Sequence, residues 1–212
     1  MKPLIFSEFS QADSEQWLKA KLGVPSASNI SKAMAKKGTE TRNSYLMELV
    51  GQIATQKYDE VFGKALEHGK LNEEAARAAY EFETGNKIEQ VGFIYSECKR
   101  FGISPDGLIK DQKKGLEIKC PFTSKVHADF LCTSSIKSEY IWQMQYSLWV
   151  TGFSSWDFVS FHPDFKKGMF KVVTIEPDAK YFERFDNELP DFIKDLDEAL
   201  SKLGLVYEDQ WK

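Results

Sequence analysis

The sequence predicts a mixed α/β fold (α+β class), a central mixed sheet flanked by helices, and three observations carry that expectation. Helical periodicity comes first in the chain, a strand-rich centre with one helical insert follows, and a long amphipathic stretch closes it. Within the centre, Leu116-Glu117-Ile118-Lys119 alternates, so Leu116 and Ile118 face one side of a sheet and Glu117 and Lys119 the other. At 212 residues the chain is most simply one domain, residues 1–212, large enough to bury roughly 70% of its unfolded surface.

Composition narrows the function classes. Hydrophobic content of 42% with 28% charged residues is ordinary for a water-soluble globular chain, and no apolar run approaches the length of a membrane span. The start lacks a signal-peptide core, which points to the cytoplasm. Cys98, Cys120 and Cys132 are odd in number and show no CxxC spacing, and there are only three histidines, His68, His127 and His162. A disulfide framework, a zinc site and a histidine-rich metal site are therefore disfavoured. The net charge of −4 argues mildly against a nucleic-acid partner, but its distribution softens the objection. Residues 1–57 hold 8 Lys/Arg against 5 Asp/Glu, whereas residues 176–212 hold 5 against 11. A basic lining can coexist with an acidic total.

In order, residues 13–22 form a short helix with Asp13 or Ser14 as N-cap and Gly23 as its stop. A small-residue turn at 25–28 caps a second helix over about 29–35. Residues 41–57 form a longer helix that buries Tyr45, Leu46, Leu49, Val50 and Ile53. Across 64–84, Leu71, Ala75, Ala78 and Phe82 make an i, i+4, i+7, i+11 stripe expected to face the core. Glu73 falls off that stripe, in line with Ala76 and Tyr80. By itself it reads as a first-turn acid favouring the helix dipole. Residues 91–95 read as a strand feeding the central sheet. Residues 122–131 and 138–150 read as helices, the second embedding Gln143 and Gln145, whose amides need either a core hydrogen bond or a polar contact in a site. Strands over 155–161 and 171–175 flank a turn at 162–164. The closing helix spans 178–203, with Pro190 expected to kink it, because an interior proline costs ~3 kcal/mol.

The chemistry-bearing stretch is 104–120: a Ser104-Pro105-Asp106-Gly107 bend, a solvated tip at 110–114, then Glu117-Ile118-Lys119. A Pro-Asp-Gly bend alone is a common turn, and a Glu-x-Lys strand face is usually the wet side of a sheet. Together, in order and one hairpin apart, they place Asp106 and Glu117 as neighbours with Lys119 beside them. Two carboxylates and a lysine can hold a divalent metal and orient a water.

That P-D…E-x-K form is the signature of the PD-(D/E)xK nucleases, and within them the chain resembles the phage-lambda-type (alkaline) exonucleases, viral recombination nucleases. The segments that carry the resemblance are WLKAKLGVPSAS at 17–28, GKLNEEAAR at 69–77, SPDG at 104–107, LEIKCPFTS at 116–124, QMQYSLWVT at 143–151 and the tail over 197–211. The resemblance implies a restriction-endonuclease-like core. It implies metal ligation by Asp106, Glu117, Glu73 and the Ile118 carbonyl, which reverses the dipole reading of Glu73. It makes Lys119 the residue that orients and activates the attacking water, with Gln143 as a further catalytic residue. Mg²⁺ is the implied cofactor, with Mn²⁺ as a substitute, since hard oxygen ligands suit both. Lys21 stands where the family usually has an arginine for the 5′-phosphate, with Ser26, Ser28 and Ser104 as further DNA contacts. The implied activity is 5′-to-3′ digestion of duplex DNA ends to mononucleotides, leaving a 3′ single strand. The implied assembly is a homotrimeric ring acting beside a single-strand annealing protein in a bacterial cell, phage or prophage encoded. A structure-specific or restriction-type endonuclease on the same core is the alternative. A non-catalytic DNA-binding module is weakened by the intact Asp106, Glu117 and Lys119.

Overall fold

In chain order the elements begin with β1 (Leu4–Phe6), α1 (Ser14–Lys21), α2 (Ile30–Ala33), α3 (Glu40–Thr55) and α4 (Lys64–Thr84). There follow β2 (Ile94–Ser96), β3 (Gly102–Ile103), β4 (Gly107–Ile109), β5 (Lys114–Lys119), α5 (Ser124–Thr133) and α6 (Ser138–Thr151). Strands β6 (Ser155–Phe161) and β7 (Phe170–Ile175) and helix α7 (Ala179–Ser201) come next. This is a computed structural model that describes residues 4–9, 11, 14–58 and 63–212; the Asp13 cap lies outside them.

The four-stranded sheet runs β4-β5-β6-β7 and is mixed: β5 and β6 are parallel, the other pairs antiparallel. Parallel neighbours need a long crossover, which the helical insert α5–α6 supplies. The expected strand over 91–95 is displaced to β2, and it feeds a different sheet, the antiparallel β1-β2-β3. Phe93 is instead tied to Ser7, donating its N–H to the hydroxyl at 2.8 Å and accepting the Ser7 N–H at 2.9 Å. Asp106 therefore sits in the link between the two sheets.

Two apolar layers sandwich the mixed sheet. On one face Leu108, Trp156 and Phe158 pack with α3, α6 and α7. Here the five expected α3 residues are buried, as are Phe185, Leu189, Phe192, Leu196 and Leu200 of α7. The last turn differs, with Leu203 59% exposed and Leu200 closing the core. Helix α7 runs unbroken through Pro190, whose side is exposed. On the other face Leu116, Ile118, Val159 and Phe161 pack against Ala76 and Tyr80 of α4.

That second packing overturns the expected face of α4. Leu71 and Phe82 are 82% and 86% exposed, and Ala75 and Ala78 are exposed too, whereas Ala76 and Tyr80 are wholly buried. The small Ala76 lets the helix approach β5, and the Tyr80 hydroxyl donates to buried Asp157 at 2.7 Å. The helix is thus rotated so that the line through Glu73, Ala76 and Tyr80 faces inward. The segment after Pro25 also differs from the expected capped helix. It is a 3-10 turn at Ala27–Asn29 leading into a single α turn, and Ser26 makes no side-chain cap. No helix among the described residues is long and apolar enough to cross a membrane.

Candidate active site

Asp106 turns back onto β5. Its Oδ2 accepts the Ile118 N–H at 2.6 Å, and its own N–H donates to the Leu116 carbonyl at 3.1 Å. These bonds clip the Pro-Asp bend to the Glu-x-Lys strand. Strand alternation aims Glu117 and Lys119 together, and the two are ion-paired, with Glu117 only 3% exposed. The Lys119 ammonium lies 4.9 Å from the centre of the Tyr140 ring, which is stacked on Phe158.

Helix α4 brings Glu73 to the same place, paired with Arg77, whose Nη1 also lies 3.5 Å from the Asp106 carbonyl oxygen. A cleft of about 530 Å³ is lined by Glu73, Asp106, Glu117, Lys119 and Gln143, together with Lys21, Ser26, Ser28 and Ser104. Nine of the ten residues singled out from the sequence meet there. Ile118 lines an adjoining cavity of about 580 Å³, which shares Leu66, Lys70, Glu73, Asp106 and Lys119 as a common wall. The two glutamines of α6 part company. Gln145 is satisfied in the core, donating to the Glu176 carbonyl at 2.8 Å and accepting the Asp178 N–H at 2.9 Å, while Gln143 lines the cleft.

The electrostatics are those of crowded carboxylates. Burial, then the Glu117 charge and next the Glu73 charge, push the Asp106 carboxyl well above the usual range, against the Lys119 ammonium and the Ile118 N–H. Burial alone would lower Lys119, but Glu117 and Asp106 outweigh it and hold the lysine above its ordinary value, as an ammonium. Burial, with Glu73 and Asp106, raises the neighbouring Cys120 thiol to about 12, so without a metal it is a neutral thiol. The donor set is therefore hard oxygen, and the excess of buried negative charge is what a divalent cation would cancel. Glu73 and Glu117 face Arg77 and Lys119, and among the described residues no three acidic, histidine or cysteine groups are gathered at ligating separation. A metal would compete with those two cations for the same oxygens.

At the other end of the cleft, Lys21 closes α1 with its ammonium 3.9 Å from the Trp17 ring centre and 5.1 Å from that of Tyr58. Burial, and secondarily the charge of Lys70, lower it to about 8. The Ser26 and Ser28 hydroxyls are 3.3 Å apart beside it. The Ser104 hydroxyl donates to the Gly92 carbonyl at 2.9 Å and accepts the Trp17 indole N–H at 2.7 Å. Its one proton is committed, so as placed it has none for a phosphate. Sequence reasoning gave no role to Trp17, Lys70 or Arg77. The last two stand three before and four after Glu73, spacings that share a helix face once Glu73 is known to point inward.

Residues 16–154 match the model of the YqaJ-like viral recombinase domain. The alkaline exonuclease LHK-Exo of Laribacter hongkongensis superposes with a TM-score of 0.80 at 32% identity, over 90% of this chain and 96% of that one. LHK-Exo in complex with dAMP gives 0.81 at 34% identity, over 89% and 95%. A phage-related exonuclease from Haemophilus somnus 129PT shares the fold, with a TM-score of 0.66 at 16% identity over 85% and 96%. The Escherichia coli (strain K12) protein ExoD is 42% identical over 78 residues, which are 37% of this chain and 90% of that protein.

Proposed function

We propose, from the premise that this chain belongs to the YqaJ-like viral recombinase family, that it is a metal-dependent DNA exonuclease working from 5′ ends of duplex DNA. Its products are 5′-mononucleotides and a 3′ single-stranded overhang for strand annealing. The observation that carries the reading is the clip from Asp106 to Ile118, which sets the Pro-Asp bend beside Glu117 and Lys119 in one cleft with Glu73 and Gln143. The relatives named as exonucleases support the reaction class.

Asp106, Glu117, Glu73 and the Ile118 carbonyl would hold Mg²⁺, or Mn²⁺ in its place. When bound, the metal supplies Lewis-acid charge that stabilises phosphodiester oxygens in the transition state. Lys119, held as an ammonium by Glu117 and Asp106 while no metal is bound, would orient and polarise the attacking water and offset charge on the phosphate. Gln143 offers amide donor and acceptor to the same water or phosphate. Lys21, with Ser26 and Ser28, binds the terminal 5′-phosphate as a point charge with two hydroxyls. The resemblance extends the proposal to one domain over residues 1–212, to a homotrimeric ring around DNA, and to a single-strand annealing partner in a bacterial cytoplasm.

The test is digestion of linear, nicked and closed circular duplexes, with Mg²⁺ and with chelator. Linear duplex should shorten from its 5′ ends to mononucleotides only with metal, and the circle should survive. Cleavage of the circle would replace the reading with an endonuclease. Light scattering that finds a monomer at micromolar concentration, alongside processive digestion, would remove the ring.

A further inference from the structure

We propose that Trp17 is a positioning residue that fixes the reach from Lys21 to Asp106, and thereby the length of the fragment released; this rests on the exonuclease reading above. The indole has two handles, and each holds a different half of the cleft. Its face carries the Lys21 ammonium at 3.9 Å. Its Nε1–H donates to the Ser104 hydroxyl at 2.7 Å.

Ser104 stands two residues before Asp106, and the link between them has little slack. The Ser104 hydroxyl is anchored on the Gly92 carbonyl at 2.9 Å. Pro105 has a ring-fixed φ, and its carbonyl accepts from the Gln11 side-chain amide at 2.7 Å. Asp106 is then clipped to β5 through Ile118. A continuous run of contacts thus leads from the Lys21 ammonium through one planar side chain to the carboxylate loop. Trp17 is half-buried, and a tryptophan drawn out of water usually finds some partner for its N–H. Here that partner lies in the carboxylate loop, while the ring lies under a cation lining the same cleft. Cutting one phosphodiester from the end requires the terminal and scissile phosphates to be held one nucleotide apart. A misplacement of about 1 Å at such a site costs on the order of 10²-fold in rate.

Removing the ring also rehydrates Lys21, whose value of about 8 is set first by burial. The titratable groups that line the same two cavities as Lys21 are Lys70, Glu73 and Arg77 of α4, Asp106, Glu117 and Lys119 beyond them, and Tyr45, Glu48 and Tyr58 on the other side.

The experiment compares the wild-type chain with Trp17→Phe, Trp17→Leu and Ser104→Ala on linear duplexes bearing 5′-phosphate or 5′-hydroxyl ends. Fragment lengths are read by mass spectrometry, and folding is verified by circular dichroism. Trp17→Phe and Ser104→Ala break the same hydrogen bond from its two ends. Both should release dinucleotides and longer fragments beside mononucleotides, and the double variant should be no worse than Ser104→Ala alone, which also frees the Gly92 carbonyl. Trp17→Leu should in addition lose about 5- to 30-fold of the 5′-phosphate preference, the worth of a desolvated cation–π contact. The pH at which its remaining preference fades should move up from about 8 toward an ordinary lysine. Uniform mononucleotides from Ser104→Ala overturn the proposal, even where Trp17→Leu does not fold. An unchanged preference and pH midpoint in a folded Trp17→Leu overturn it too. A wild-type chain that does not digest linear duplex sinks the exonuclease reading and this inference with it, whereas normal wild-type digestion with unaltered variants sinks this inference alone.

Discussion

Replacing Asp106 by asparagine should abolish cleavage without weakening the fold, whereas alanine should do both. The asparagine amide oxygen can still accept the Ile118 N–H that Asp106 holds at 2.6 Å. It also removes one of the negative charges that crowd Glu117 and Glu73. Alanine leaves the Ile118 N–H, in a residue only 6% exposed, without its partner. An unsatisfied buried donor costs ~1–3 kcal/mol. For a chain of this size each kcal/mol is worth about 2–4 °C in Tm, so alanine should melt about 2–12 °C below wild type. Asparagine should melt at or above wild type in chelator. The pH dependence has a definite sign. A carboxyl whose folded pKa is raised binds its proton more tightly in the folded state. Its contribution is therefore fully present below the unfolded value of 3.8 and is lost as pH rises through the higher folded value. Wild type in chelator should gain stability relative to Asp106→Asn as pH falls from 8 toward 4. Added Mg²⁺ should raise the Tm of wild type and not of Asp106→Asn. The measurements are thermal melts by circular dichroism across pH, with a nuclease assay on the same samples. An asparagine variant that melts as low as alanine, or keeps near wild-type cleavage, would refute the reasoning.

Lys21→Ala should reduce the preference for 5′-phosphate over 5′-hydroxyl duplex ends by about 10- to 150-fold, the worth of a charge-assisted contact, while affecting 5′-hydroxyl ends less. In wild type that preference should decline as pH rises through about 8, because the lysine loses its proton there; rates on paired substrates from pH 6.5 to 9.5 check both points. Leu71→Ser and Phe82→Ser should each shift stability by no more than about 0.5 kcal/mol in dilute solution, since surface substitutions seldom do more. A loss of several kcal/mol in urea melts would contradict the orientation of α4. Asp157→Ala should cost about 3–5 kcal/mol, seen as a shifted urea midpoint. Asp157 is 3% exposed and accepts from Tyr80 at 2.7 Å, Thr174 at 2.6 Å and Lys114 at 3.2 Å, donors that alanine would strand.

The parts of the site that were legible in the sequence are those whose geometry is local. Asp106 and Glu117 lie across one hairpin, Leu108 is paired with Gly115, and strand alternation then decides which way Glu117 and Lys119 point. The closing helix was legible for a similar reason: its apolar stripe has only one surface to cover. The β2 displacement was not legible, because it depends on Ser7, 86 residues away, taking the Phe93 N–H. Nor could spacing distinguish Gln143 from Gln145, two positions apart on one helix. The difference lies in the Asp178 N–H and the Glu176 carbonyl, which reach Gln145 from beyond β7.

Helix α4 marks where pattern reading stops. Reading a stripe by period assumes that the more apolar side is the buried one. On α4 the side bearing Leu71 and Phe82 is larger and more apolar, yet it is exposed, while Ala76 and Tyr80 lie against the sheet. The strands there already present Leu116, Ile118, Val159 and Phe161, so a small residue such as Ala76 lets the helix backbone approach them. The buried Asp157 beneath it calls for a donor, which Tyr80 supplies and Phe82 could not. The same rotation carries Glu73 to the mouth of the cleft and Arg77 to within 3.5 Å of the Asp106 carbonyl. Turned to bury Leu71 and Phe82, the helix would take Glu73 out of the cleft. The orientation that serves the carboxylate cluster and the one that satisfies Asp157 are the same, and both outweigh the apolar stripe.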